Sequence, residues 1–194
     1  MAEKESKNKW HTPAERIMML GFAAVILLGT ILLCLPVSAA DGKSVYWLDA
    51  LFTATTSVCV TGLVTVPTAT TWSTFGKIVI LGLIQFGGLG IMACLTMVFL
   101  ILRRKISLQS RKLIQDTYNL PVLKGSVGIV RKLLIGTAAV ELAGAFFYSF
   151  WFVPEYGFWK GIGYSIFHAV SAFCNAGFDI LGRTDSFYPS LTAY

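Results

Sequence analysis

Three runs of this chain are long, apolar and nearly free of charge, and they leave few folds open. Residues 17–35 and 78–102 carry no charged side chain over 19 and 25 positions, and residues 133–153 carry one, Glu141, over 21. As helices rising about 1.5 Å per residue, each crosses a hydrocarbon core of roughly 30 Å. Charged residues make up only 13% and the mean hydropathy is +0.68, too little polar surface for a soluble domain to cover three such helices. The chain reads as an all-α, multi-pass protein of the cell membrane.

Its basic residues set the topology. Lys4, Lys7, Lys9 and Arg16 precede the first run, and residues 103–132 contain eight more, so 12 of 16 Lys and Arg fall on one side. The positive-inside rule places residues 1–16 and the 103–132 loop in the cytoplasm. The net charge of +6 therefore encodes orientation and does not point to a nucleic-acid partner. A cleaved leader ending near Ser38-Ala39-Ala40 is disfavoured, because 19 apolar residues exceed a usual signal core of about 7–15. Cys34, Cys59, Cys94 and Cys174 lack metal or redox spacing, and His11 and His168 have no neighbour at ligand spacing.

The chain also resembles itself. A shift of 115 residues lays Gly21, Ala23, Ala24, Val25, Leu27 and Gly29 on Gly136, Ala138, Ala139, Val140, Leu142 and Gly144. The same shift lays Phe52, Ala54, Cys59 and Gly62 on Phe167, Ala169, Cys174 and Gly177. Each copy starts with a span, at 17–35 or 133–153. It turns through Pro36 and Asp41-Gly42, or through Pro154 and Gly157. It then enters a short apolar segment, 47–57 or 161–173, too short to cross a bilayer. Such a segment is either a re-entrant half-helix or an amphipathic helix lying on the surface, for which Trp47 and Trp159 would also suit. A special loop at the same offset in both copies favours the re-entrant form. The first copy returns through the Thr-rich stretch 65–74 to the span 78–102.

The loops read Val58-Cys59-Val60-Thr61-Gly62-Leu63 and Phe173-Cys174-Asn175-Ala176-Gly177-Phe178. Irregular backbone at membrane depth is tolerated where it is buried in protein or lines a watery cavity. Successive backbone carbonyls replace the water of a dehydrated cation, glycine supplies the dihedrals this needs, and a helix C-terminus adds negative potential. Neither loop has a carboxylate, so a large monovalent ion suits it better than calcium.

With the string Gly82-Leu83-Ile84-Gln85-Phe86-Gly87-Gly88-Leu89-Gly90, and the segments 52–63 and 167–178, the chain resembles the Trk/Ktr/HKT potassium transporter superfamily, nearest the bacterial Ktr-type membrane subunit. The resemblance runs from about residue 12 to 187. It implies a potassium-channel-like pore of four repeats, each a span, a re-entrant pore half-helix, a filter loop and a second span. Residues 17–102 would be the first repeat, with its filter at 58–63. Residues 133–194 would be an incomplete second, with its filter at 174–178. By position, the carbonyls of Cys59, Val60, Thr61, Gly62, Cys174, Asn175, Ala176 and Gly177 would line the path of K⁺, with Na⁺ as a second candidate cargo. The resemblance also implies a homodimer and a cytosolic nucleotide-binding regulatory ring of the RCK type. The 103–132 loop is a candidate surface for that ring or for membrane lipid, or simply a solvated topogenic loop. The chain is expected to be a truncated form of a longer pore.

Other residues complete the expectations. Glu141 is a carboxylate within a span, which faces protein or water and either serves transport or pairs with a polar group of another helix. Gln85 is placed to hydrogen-bond across a helix contact that Gly87, Gly88 and Gly90 would make close. No nucleophile–base pair, metal cluster or phosphate loop suggests an enzyme. A non-conducting assembly or receptor-like subunit is the competing function, and the duplicated loop counts against it.

Overall fold

The structure is a computed structural model that describes residues 14–90, 93 and 126–181. These residues are helical and irregular, with no strand among them. Helix α1 spans Ala14–Cys34 and ends in a single 3-10 turn, Pro36–Ser38, where the Ser38 hydroxyl donates to the Leu32 carbonyl at 2.5 Å. That bond gives a carbonyl of the last turn, which also accepts from the Leu35 N–H at 3.3 Å, a second donor. Helix α2 is Trp47–Val58, α3 is the single turn Thr68–Thr71, and α4 is Thr74–Leu89. Ser73 caps α4 by accepting from the Gly76 N–H, and its hydroxyl donates to the Val37 carbonyl at 2.6 Å. The start of α4 is thereby pinned to the end of α1.

Helix α5 covers Ser126–Tyr156, about 45 Å of helix, and α6 covers Phe158–Phe173. They form an antiparallel hairpin that turns at Gly157, with φ +82°. A core of Leu33, Ala54, Ile80, Ile84, Phe167 and Phe178 joins α1, α2, α4 and α6. By contrast, Phe146, Phe147, Phe150 and Trp151 on α5 are exposed, a contiguous apolar face suited to a bilayer or to further helices. The 30 residues Val127–Tyr156 are long and apolar enough to cross a membrane.

The short segments expected at 47–57 and 161–173 fall on α2 and α6, although α6 starts earlier, at Phe158. The reason is the turn, which Gly157 makes alone; Pro154 is absorbed in the last turn of α5. The runs at 17–35 and 133–153 lie on α1 and α5, and α5 also takes in 126–132, the end of the expected basic loop. The run at 78–102 is helical only to Leu89 before Gly90 turns with φ +80°. Ala93 apart, the rest of that run lies outside the described residues, as do 1–13, 103–125 and 182–194.

Candidate functional site: two loops against one helix

Both half-length helices end in the same way. Val60 and Asn175, each the second residue beyond its helix, take the left-handed conformation at φ +56° and +58°. The N–H of Val60 returns to the Ser57 carbonyl at 3.3 Å, and that of Thr61 to the Thr56 carbonyl at 3.0 Å. In the second loop Asn175 N–H meets the Ala172 carbonyl at 3.0 Å and Ala176 N–H meets that of Ser171 at 2.7 Å. This is the Schellman pattern of crossed bonds that closes a helix C-terminus. Asparagine accepts the left-handed region readily, whereas β-branched valine does so only under constraint.

The chain then reverses its hand again, at Gly62 with φ +72° and Gly177 with φ +71°. Cys59 and Cys174 before them lie at φ −81° and −74°. Thus φ alternates in sign along Cys59, Val60, Thr61, Gly62 and along Cys174, Asn175, Ala176, Gly177.

A hydroxyl inside each helix fixes the far end of its loop. Thr56 Oγ1 accepts from the Leu63 N–H at 2.9 Å and lies 2.6 Å from Thr61 Oγ1. Ser171 Oγ accepts from the Phe178 N–H at 3.0 Å and donates to the Phe178 carbonyl at 2.9 Å. These two hydroxyls were not among the sequence-derived site residues. Their signal is present, since both are small hydroxyl residues 115 positions apart.

The loops also meet. A Cβ added to Gly62 would stand 2.5 Å from the Ala176 carbonyl oxygen and 3.2 Å from the Gly177 Cα. Cys59, Thr61, Asn175 and Gly177 are exposed, Val60, Gly62 and Cys174 are half-buried, and Ala176 is buried. All eight candidate residues thus fall within two adjoining loops.

Helix α4 backs both loops. Gly87 abuts the Val58 carbonyl, and its neighbour Gly88 abuts the Cys174 thiol. Gly90, expected to share in this close approach, faces open space and instead ends the helix. One turn before Gly88, the Gln85 amide donates to both oxygens of Glu141 on α5, at 2.9 and 3.2 Å. The Cys174 thiol points to the other end of the same amide, 4.0 Å from Gln85 Oε1. Glu141 therefore pairs with a polar group on another helix, and that group reaches the second loop. Buried His168 adds a tie missed in the sequence. Its Nδ1 donates to the Tyr164 carbonyl at 2.8 Å, and its Nε2 lies 3.4 Å from Asp179 Oδ1, just beyond the second loop.

The family described as cation transport protein, TrkH, matches residues 6–194. The Ktr system potassium uptake protein B of Bacillus subtilis is 42% identical over 180 residues, 92% of this chain and 40% of that protein. The potassium/sodium uptake protein NtpJ of Enterococcus hirae is 44% identical over 179 residues, with the same coverage of each chain. The Ktr system potassium uptake protein B of Vibrio alginolyticus is 37% identical over 175 residues, 90% of this chain and 38% of that protein. The chain spans about 40% of the length of these relatives.

Proposed function

The chain belongs to the TrkH cation transport protein family, membrane transporters and not enzymes, and on that premise we propose that it lends two filter loops to a K⁺ uptake pore. The observation that carries this reading is the same alternation of φ and the same crossed helix-end bonds in the two loops, brought together at the C-terminal ends of α2 and α6. Alternating right- and left-handed residues turn successive N–H groups to one side. Their carbonyls are left to the other side, where they replace the hydration shell of a cation. The C-termini of α2 and α6 add negative potential at the same place. K⁺ is the cargo, and Na⁺ is the second ion to test, since the names of the Bacillus and Enterococcus relatives specify potassium and potassium/sodium respectively.

In this reading residues 17–102 form one repeat and 133–194 contribute to another, with residues 1–16 and 103–132 cytoplasmic. The pore is a homodimer that takes a cytosolic nucleotide-binding ring on its basic face. Rubidium tracer uptake tests the transport reading. A K⁺-uptake-deficient bacterium would express the reading frame containing this chain, with and without Gly62→Ser or Gly177→Ser. Uptake that the intact frame supports and the variants lose, at equal membrane abundance, is the expected result. Unchanged uptake in both variants would refute the filter assignment.

A further inference from the structure

A groove of about 740 Å³ opens between the start of α4 and the start of α6, and none of the eight loop residues lines it. Its wall is apolar, with Leu81 and Phe167 among its members, and Lys77 and Lys160 both line it. Lys77 Nζ donates to the Ala69 carbonyl at 2.7 Å, which holds the ammonium in place. Lys77 precedes the span at 78–102, and burial first, then the nearby Lys160 charge, lowers its pKa from the ordinary lysine value. Among the described residues no carboxylate lies within ion-pair distance of either ammonium. Lys160 is also the third residue of α6, where a positive charge opposes the helix dipole. Two cations thus line one groove with no carboxylate of the described residues in reach, and a single anion between them would neutralise both.

The surroundings select the kind of anion. Trp159 is 84% exposed at the rim, the placement of a ring that sits among lipid headgroups. A soluble ion would use the lysines alone and leave the apolar wall bare. We propose that this groove holds an anionic phospholipid, its phosphate shared by Lys77 and Lys160 and its upper acyl chain against Ile78 and Leu81. The site is separate from the transport reading, because it is defined by binding and not by conduction.

Native mass spectrometry of the purified protein encoded by the reading frame containing this chain, in detergent, tests it, with helicity and size-exclusion profile as the check on folding. The probes are phosphatidylglycerol, phosphatidylcholine and inorganic phosphate. The expected result is roughly ten-fold preferential retention of phosphatidylglycerol, a factor that corresponds to about 1.4 kcal/mol. Lys77→Gln with Lys160→Gln should abolish the preference, and Lys43→Gln, an exposed lysine elsewhere, should not. If the double variant misfolds, Lys160→Gln alone serves, since it leaves the Lys77–Ala69 bond in place and should lower the preference several-fold. Equal retention of both lipids, an unchanged preference in the Lys160 variant, or displacement of the lipid by millimolar phosphate would overturn the proposal.

Discussion

Gly62 lies so close to Ala176 that any side chain on it would enter the space of the Ala176 carbonyl, at 2.5 Å from a built Cβ. Gly177 shares the left-handed φ but not the crowding, since the nearest atom to its own Cβ position is 3.6 Å away. The two glycines therefore differ in what a substitution does. At Gly177 an added methyl meets only the conformational cost of about 1–2 kcal/mol. At Gly62 it must also push the second loop.

From this asymmetry, Gly62→Ala should impair rubidium uptake more than Gly177→Ala, by about ten-fold if the extra displacement amounts to roughly 1.4 kcal/mol. Gly62→Ser should in addition raise Na⁺ permeability relative to K⁺, because its hydroxyl brings a competing oxygen to the loop. Tracer flux in liposomes, at matched protein density, measures both. Equal losses in the two alanine variants would contradict the asymmetry.

The hydroxyl ties predict a second pair of outcomes. Thr56→Val removes the acceptor for the Leu63 N–H, and Ser171→Ala removes both bonds to Phe178. Ser171→Ala should lower stability by about 1–3 kcal/mol, the cost of leaving buried polar groups unmet, and Thr56→Val by about 0.5–1.5 kcal/mol, because the Leu63 N–H lies on an exposed residue that water can reach. Thr56→Ser should restore most of the loss, because it keeps the oxygen. Thermal unfolding in detergent distinguishes the three, and a valine variant as stable as the parent would remove Thr56 from the loop's support.

Much of this site was legible in the sequence, and the reason is duplication. A single Thr-Gly or Ala-Gly step is an ordinary turn signal, but Cys59/Gly62 and Cys174/Gly177 repeat one spacing beside two segments too short to span. Helix ends were less legible. Pro154 suggested a turn that Gly157 makes by itself, since α5 runs on through the proline to Tyr156 and reverses only where the left-handed φ of glycine is available. Gly90 looked like a packing glycine because its neighbours are, yet its φ of +80° ends the helix. The pairing of Gln85 with Glu141 joins residues 56 positions apart, and no local pattern encodes such a partner.

That pairing sets the third prediction. Glu141→Leu removes an acceptor of the Gln85 amide, and Gln85→Leu removes a donor to the carboxylate. Hydrogen bonds between membrane helices average about 0.6 kcal/mol and reach about 1.7. A double-mutant cycle on unfolding should therefore return a favourable coupling in that range, while Glu141→Gln, which keeps an acceptor, should cost less than Glu141→Leu. A coupling of zero would mean that the two groups are stabilised independently.

The charge distribution sets the fourth. A single cysteine introduced at Lys132, exposed on the first part of α5, should resist an impermeant thiol reagent in intact cells. One at Lys43, exposed in the turn before α2, should react. Both belong in a background with the native cysteines removed. Labelling at position 132 and protection at 43 would invert the topology given by the positive-inside rule.

The last prediction separates the two glycines by which α4 backs the loops. Gly87 faces the backbone carbonyl of Val58, which no side-chain change can move aside, whereas Gly88 faces the Cys174 side chain, Sγ and Cβ alike. Overpacking of this kind costs about 1–3 kcal/mol. Gly88→Ala should therefore be rescued by Cys174→Gly, with a coupling of about 1 kcal/mol or more in a double-mutant cycle on unfolding. Gly87→Ala should gain nothing from Val58→Ala, because the obstructing oxygen remains. Rubidium uptake should follow the same order, as both loops rest on this helix. Rescue of Gly87→Ala by Val58→Ala, or failure of Cys174→Gly to relieve Gly88→Ala, would show that α4 does not hold the loops through these two contacts.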